Sequence, residues 1–253
     1  VTDVEAHTPG AWGSLRADAG TPLEILELGL VEYRTAWDLQ RSLVEQRRTG
    51  AIPDTAVMLE HPPVFTLGRR ADGANVLLDP AAREAAGIDL VEVDRGGDVT
   101  YHGPGQLVVY PIVALARVRH VVDFVRALED VAIAALHDFG IRGTRREGLT
   151  GVWVDREKLV AIGVRVGAGG ITSHGLALNV DPDLAHFAGI VPCGITTEGV
   201  CSLASLGVTA TMDDVRWSLR GALRAVFESP VVDARPNPAA RLATPATPTA
   251  GAR

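Results

Sequence analysis

Two extended runs lying almost against each other limit what this chain can fold into. Gly151-Val152-Trp153-Val154 and Leu159 to Val166 are rich in β-branched and apolar residues, and Asp155-Arg156-Glu157 joins them with Lys158 at the entry to the second. So short a connection makes antiparallel neighbours, because a parallel pair needs a crossover of about a dozen residues or more. A purely parallel sheet is therefore excluded. Strict alternation along the second run puts Lys158, Val160, Ile162 and Val164 on one face and Leu159, Ala161, Gly163 and Arg165 on the other. Around this hairpin, helical and extended stretches alternate. Thr35 to Arg48 carries Ala36, Leu39, Leu43 and Val44 at helical spacing, and Gly50 follows as a stop. Ala56 to Leu59 is a short buried strand, and Asp79-Pro80 opens a short helix that Gly87 ends. Val121 to Phe139 is the longest helix, with Phe124, Val125, Leu128, Val131, Ala135 and Leu136 in one stripe and Gly140 closing it. Leu176 to Val180 is a further strand. Thr211 caps a last helix to about Phe227, with Asp213 and Asp214 in its first turn. The fold class is α+β (mixed α/β): a mixed, largely antiparallel sheet with flanking helices.

A chain of 253 residues, 47% hydrophobic, can bury one sizeable core. Its small, polar first residues read as a flexible arm over 1–20, and the prolines beyond Ala234 read as a disordered Pro/Ala/Thr-rich tail over 234–253. The folded domain is then 21–233. A net charge of −7 argues against nucleic acid as a partner. There is no signal-peptide pattern and no apolar stretch long enough to span a bilayer, so the expected setting is cytoplasmic, without a membrane. The two cysteines, Cys193 and Cys201, make no disulfide framework and no zinc site.

Chemistry gathers at a few points. Between strands at Leu90–Val93 and Leu107–Tyr110 lies Arg95-Gly96-Gly97-Asp98-Val99-Thr100-Tyr101-His102-Gly103-Pro104-Gly105-Gln106. It is longer than a hairpin loop, and its paired glycines let a backbone approach a ligand and offer it N–H groups. Cys193 sits between Pro192 and Gly194, on a turn; that window fits a nucleophile and an inert buried thiol equally. Lys158 is the only lysine in the chain. Near a thiol it would lower the thiol pKa; after a tight turn it is equally a solvated lysine. His102 and His174 both precede glycines at strand starts. His61, His120, His137 and His186 read as surface or structural, and Cys201 as ordinary packing.

In order along the chain, Glu60 to Arg69, Arg95 to Gln106, Lys158 to Gly163, His174 to Asn179 and Pro192 to Ile195 together resemble the lipoyl(octanoyl) transferases. The resemblance covers most of residues 28–210. It implies a biotin/lipoate-protein-ligase-like fold and an acyl transfer in two halves. Octanoyl would pass from octanoyl-acyl carrier protein to Cys193 as a thioester, then to a lysine of a lipoyl domain. Acceptors would be the lipoyl domains of 2-oxoacid dehydrogenases and the glycine cleavage H protein. Lys158 would work with Cys193 as a dyad. The implied acyl pocket is Arg95, Gly96, Gly97, Asp98, Val99, Thr100, Tyr101 and His102, with Ala161, Ile162, Gly163, His174, Gly175, Leu176 and Ala177. No cofactor, metal or nucleotide is implied.

Elementary chemistry agrees with that scheme. Backbone N–H groups near Gly96–Gly97 or Gly163 could receive the oxyanion, and small residues leave room for an apolar chain. Acidic partners of an acidic enzyme need a local basic patch; Arg142-Arg145-Arg146 and Arg69-Arg70 are the two candidates. Asp98 adds a negative charge to the pocket loop. The alternatives are an ATP-dependent lipoate or biotin protein ligase, a cysteine thioesterase using His102 or His174, and a non-catalytic carrier-binding scaffold.

Overall fold

The computed structural model describes residues 12–117, 120–191 and 198–234. Its strands are β1 (Leu23–Leu30), β2 (Thr55–Glu60), β3 (Val64–Leu67), β4 (Asp89–Glu92), β5 (Val99–His102), β6 (Gln106–Ile112), β7 (Thr144–Arg146), β8 (Leu149–Val154), β9 (Glu157–Val166), β10 (Thr172–Asn179), β11 (Gly199–Val200) and β12 (Val231–Asp233). The helices are α1 (Tyr33–Arg48), α2 (Pro80–Ala85), α3 (Val121–His137) and α4 (Met212–Val226). Strands of the main sheet run in the order β12-β1-β2-β6-β10-β9-β8-β7, with β11 beside β9. From β2 to β7 every pairing along that path is antiparallel, while β1 lies parallel to both β2 and β12. A small sheet, β4-β3-β5, stands apart. The mixed, largely antiparallel architecture is the one expected.

Helix signals in the sequence act as read. Asp79 accepts from Ala82 N, with Pro80 opening α2. Thr211 and Asp214 form a reciprocal capping box at the start of α4. The α3 stripe packs with α4 on one face of the main sheet, over Met58, Leu107, Val109, Leu176, Leu178, Val160 and Val164. The opposite face carries Val57, Leu59, Val108, Tyr110 and Ala177 under Ala36, Leu39 and Leu43 of α1.

Three local features differ from the sequence reading. Part of the expected arm is packed: Leu15 is buried, and buried Arg16 donates to Asp54 at 2.6 Å, which also pairs with Arg47, while residues 17–20 are exposed. The tail beyond Ala234 lies outside the described residues. The run 95–106 is not one loop: its residues 99–102 form β5, antiparallel to β3. The strands on either side of it belong to different sheets, so the segment carries the chain from one sheet to the other.

The third difference is the face of Lys158. Val152 pairs with Val160 but Trp153 pairs with Lys158, so Leu159 is an extra residue in a β-bulge. Leu159 and Val160 both enter the α3-side core. The alternation therefore restarts, and Lys158 faces opposite to Val160 and Val164, not alongside them. Strict counting by twos fails because the bulge inserts one residue between lysine and strand interior.

Candidate active site

The α1-side face of β6, β10 and β9 forms the floor of a cavity of about 750 Å³, open mouth included. The register pairs Gln106 with Asn179, Val108 with Ala177 and Ala177 with Ala161, then Gly175 with Gly163. From Asn179 to Gly175 this floor is roughly 13 Å long at about 3.3 Å per residue. Lys158 lies at the Asn179 end, its Nζ 4.7 Å from the centre of the buried Trp153 ring. At the other end the floor is glycine because nothing larger fits. A Cβ on Gly175 would meet Val109 O at 2.0 Å, and one on Gly163 would meet Arg95 Cδ and Gly96 O at 3.1 Å.

The roof comes from the inter-sheet segment. Arg95 is buried; its guanidinium donates to Thr66 O at 2.7 Å and Thr66 Oγ1 at 2.8 Å. Gly96 N donates to Val164 O at 2.9 Å, tying the segment to β9. That N–H is committed, so Gly96 is not the free oxyanion donor expected. Asp98 is likewise employed: its carboxylate accepts from Asn75 Nδ2 and from Val99 N, both at 2.7 Å. It braces the segment while lining the cavity.

His102 closes one wall. Gln106 Nε2 donates to Asn179 Oδ1 at 2.8 Å, which turns its Oε1 toward His102 Nδ1 at 2.6 Å. The amide oxygen can only accept, so His102 carries its proton on Nδ1 and leaves Nε2 as a lone pair. Burial, then the neighbouring His61, holds the imidazole down at about 3, so it is neutral at pH 7. His61 itself is fully buried, with Nδ1 at 2.7 Å from Val31 O and Nε2 at 2.7 Å from Tyr110 OH. The carbonyl fixes the proton on Nδ1, so Tyr110 donates to Nε2. Burial pushes the Tyr33 phenol up to about 12 and the His61 imidazole down to about 4. His174 holds a left-handed φ of +56° and is anchored from both sides: its N–H donates to Gln40 Oε1 at 2.7 Å, and Nε2 bonds Asp94 at 2.8 Å. Desolvation still lowers its pKa, against the pull of Asp94.

Of the expected pocket residues, Arg95, Gly97, Asp98, Val99, Thr100, His102, Ala161, Ile162, Gly163, His174, Gly175, Leu176 and Ala177 line this cavity, together with Lys158. Gly96 and Tyr101 do not; Tyr101 turns behind β5, with its hydroxyl 2.7 Å from His186 Nδ1 and its ring beside Phe65 and Phe187. Cys193 lies outside the described residues. Cys201 is inert packing: it is 1% exposed, and burial pushes its thiol up to about 12. Tyr33, Val108, Tyr110, Asn179 and Phe187 line the cavity without having been singled out. Tyr33 stands one turn before the apolar stripe of α1, where only the folded register shows that it faces β6.

The fold that holds this trough is shared with solved structures. The bi-partite lipoate protein ligase of Thermoplasma acidophilum superposes with a TM-score of 0.71 at 18% identity, covering 88% of this chain and 91% of that one. Lipoate-protein ligase A bound with ATP gives 0.69 at 15%, covering 88% and 92%. These likenesses concern the fold. Sequence takes the matter further. The lipoyl protein ligase A/B catalytic domain matches residues 32–224. The octanoyltransferase of Chloroflexus aggregans is 49% identical over 218 residues, 84% of this chain and 98% of that relative. The octanoyltransferase of Mycobacterium marinum is 43% identical over 243 residues, 92% and 98%. The chain belongs to the lipoyl protein ligase A/B catalytic-domain family, among its octanoyltransferases.

Proposed function

We propose that this enzyme transfers octanoyl from octanoyl-acyl carrier protein to a lysine of lipoyl domains through a thioester on Cys193, with Lys158 as its partner. Octanoyl transfer in lipoate biosynthesis is the activity of the octanoyltransferases among which the chain falls. The observation that carries the finer reading is the bulge at Leu159, which brings the chain's only lysine to the end of a mainly apolar trough long enough for an extended eight-carbon chain. In the first half, the Cys193 thiolate adds to the thioester carbonyl; the carrier's thiolate leaves and takes a proton from the Lys158 ammonium. In the second, the acceptor amine adds and gives a proton to the now neutral Lys158 amine, and Cys193 leaves as a thiolate as the amide forms. Lys158 serves first as a cation beside the thiolate and then as a proton carrier. Burial of the acyl chain supplies about 0.8 kcal/mol per methylene.

The test is the intact mass of the protein mixed with octanoyl-acyl carrier protein, for wild type, Cys193→Ala and Cys201→Ala. One octanoyl group should add, be absent only in Cys193→Ala, and be discharged by a lipoyl domain. ATP-dependent modification of the lipoyl domain without any adduct would move the enzyme to ligase chemistry. Release of free octanoate without an acceptor would make it a thioesterase.

A further inference from the structure

The sequence offers two basic clusters, and the fold treats them in opposite ways. Arg145 donates to the buried carboxylates of Glu129 and Asp130, each at 2.7 Å, and Arg146 pairs with Glu198. The charge of these two is spent inside the protein, which leaves only the exposed Arg142 of that cluster for docking. Arg69 and Arg70 are exposed and make no side-chain hydrogen bond or ion pair among the described residues. Asp72, two positions on, caps Ala74 N at 3.0 Å, and Asp98, across the turn, is held by Asn75 and Val99 N.

The turn that bears the pair is fixed to the cavity roof. Three successive amides, of Gly68, Arg69 and Arg70, donate to Asp98 O, Arg95 O and Gly97 O at 3.2, 3.0 and 3.1 Å. Gly68 lies so close that a Cβ would meet Gly97 O at 2.5 Å. A few residues on, Leu77 is 58% exposed. Its amide donates to Gly189 O and Val191 N donates to Asn75 O, both at 2.8 Å. Residues 68–77 thus form a rigid ledge between the cavity roof and Val191, which stands two positions before Cys193.

We propose that Arg69, Arg70 and Leu77 are the docking face for the acidic protein surface of the acyl donor, the carrier that delivers octanoyl. The proposal rests on the transferase reading above. Two exposed guanidinium groups beside the cavity roof, with an exposed leucine further along the same segment, fit an acidic surface that also offers apolar contact.

The experiment compares wild type with Arg69→Glu/Arg70→Glu and with Leu77→Ala, all exposed positions. Steady-state rates are measured at low salt with octanoyl-acyl carrier protein and with octanoyl-4′-phosphopantetheine, at varied lipoyl domain. The double variant should raise the KM for the carrier about tenfold, with kcat unchanged and the difference shrinking at high salt. Leu77→Ala should raise it a few-fold, roughly. The small donor's KM should not move. An equal penalty on the small donor would assign the arginines to its phosphate and overturn the proposal, as would a rise in KM for the lipoyl domain instead. A wild type that ignores the octanoyl carrier but modifies lipoyl domains with ATP would remove the transferase reading itself.

Discussion

The two faces of the central sheet are built from alternate residues of the same strands, yet they do opposite work. Toward α3 and α4 the face is continuous hydrocarbon: Phe124, Leu128, Leu159, Leu176, Leu178 and Leu219 are all buried in one cluster. Toward the cavity the same strands present Gly163, Gly175, Ala161, Ala177, Gln106 and Asn179. One face stabilises by volume. The other is kept thin, so that a ligand can lie where side chains would be, and its polar groups are tied to one another. The comparison teaches that the floor is thin for two reasons: backbone approach holds Gly175 to glycine, while Ala161 and Ala177 leave open space beside the sheet.

Exchanging the effects of mutation between faces would break that picture. Lys158→Ala should lower kcat by about a hundredfold or more with the unfolding free energy little changed, while Leu128→Ala on the other face should cost about 3 kcal/mol of stability with kcat per folded molecule unchanged. Chemical denaturation and steady-state kinetics on the same samples check both arms. Next in size is the pH dependence. His61 is held near 4 in the fold, against about 6.5 in the unfolded chain. Between those values the unfolded chain takes up a proton that the native wall refuses. Stability fully present above pH 6.5 should therefore be lost as pH falls toward 4, by an amount on the order of 3 kcal/mol. His61→Gln should flatten that slope in urea titrations; an unchanged slope would place the titration elsewhere. The smallest effect sharpens the comparison at one atom. Gly163→Ala brings a Cβ within 3.1 Å of the pinned Arg95 side chain. The KM for the acyl donor should rise by several-fold, roughly, as the roof shifts, with thermal stability nearly constant.

Much of this was readable in advance, for reasons that are local. Asp79, Pro80, Thr211 and Asp214 act through bonds to residues two or three positions away, so spacing alone reveals them. The lysine's role as the lone candidate cation was readable from composition. Its face was not, because a bulge exists only in relation to the partner strand β8. Nor was β5, whose pairing with β3 joins residues more than thirty positions apart. The fate of Arg145 had a visible signal: Glu129 and Asp130 sit within the apolar run of α3, and buried carboxylates call for a cation. The wall formed by His61, Tyr110 and Tyr33 is assembled from three separate elements and leaves no sequence pattern at all.

The insulation of Cys201 has a consequence for fidelity. A thiol held near pKa 12 is ionised to about one part in a hundred thousand at pH 7, and only the thiolate exchanges with thioesters. Under the transferase reading, an acyl group held on Cys193 would have no second sulfur of comparable reactivity to migrate to. Of the two thiols in the sequence only one could serve as its berth, and each loaded molecule would deliver its one acyl group to the acceptor or keep it.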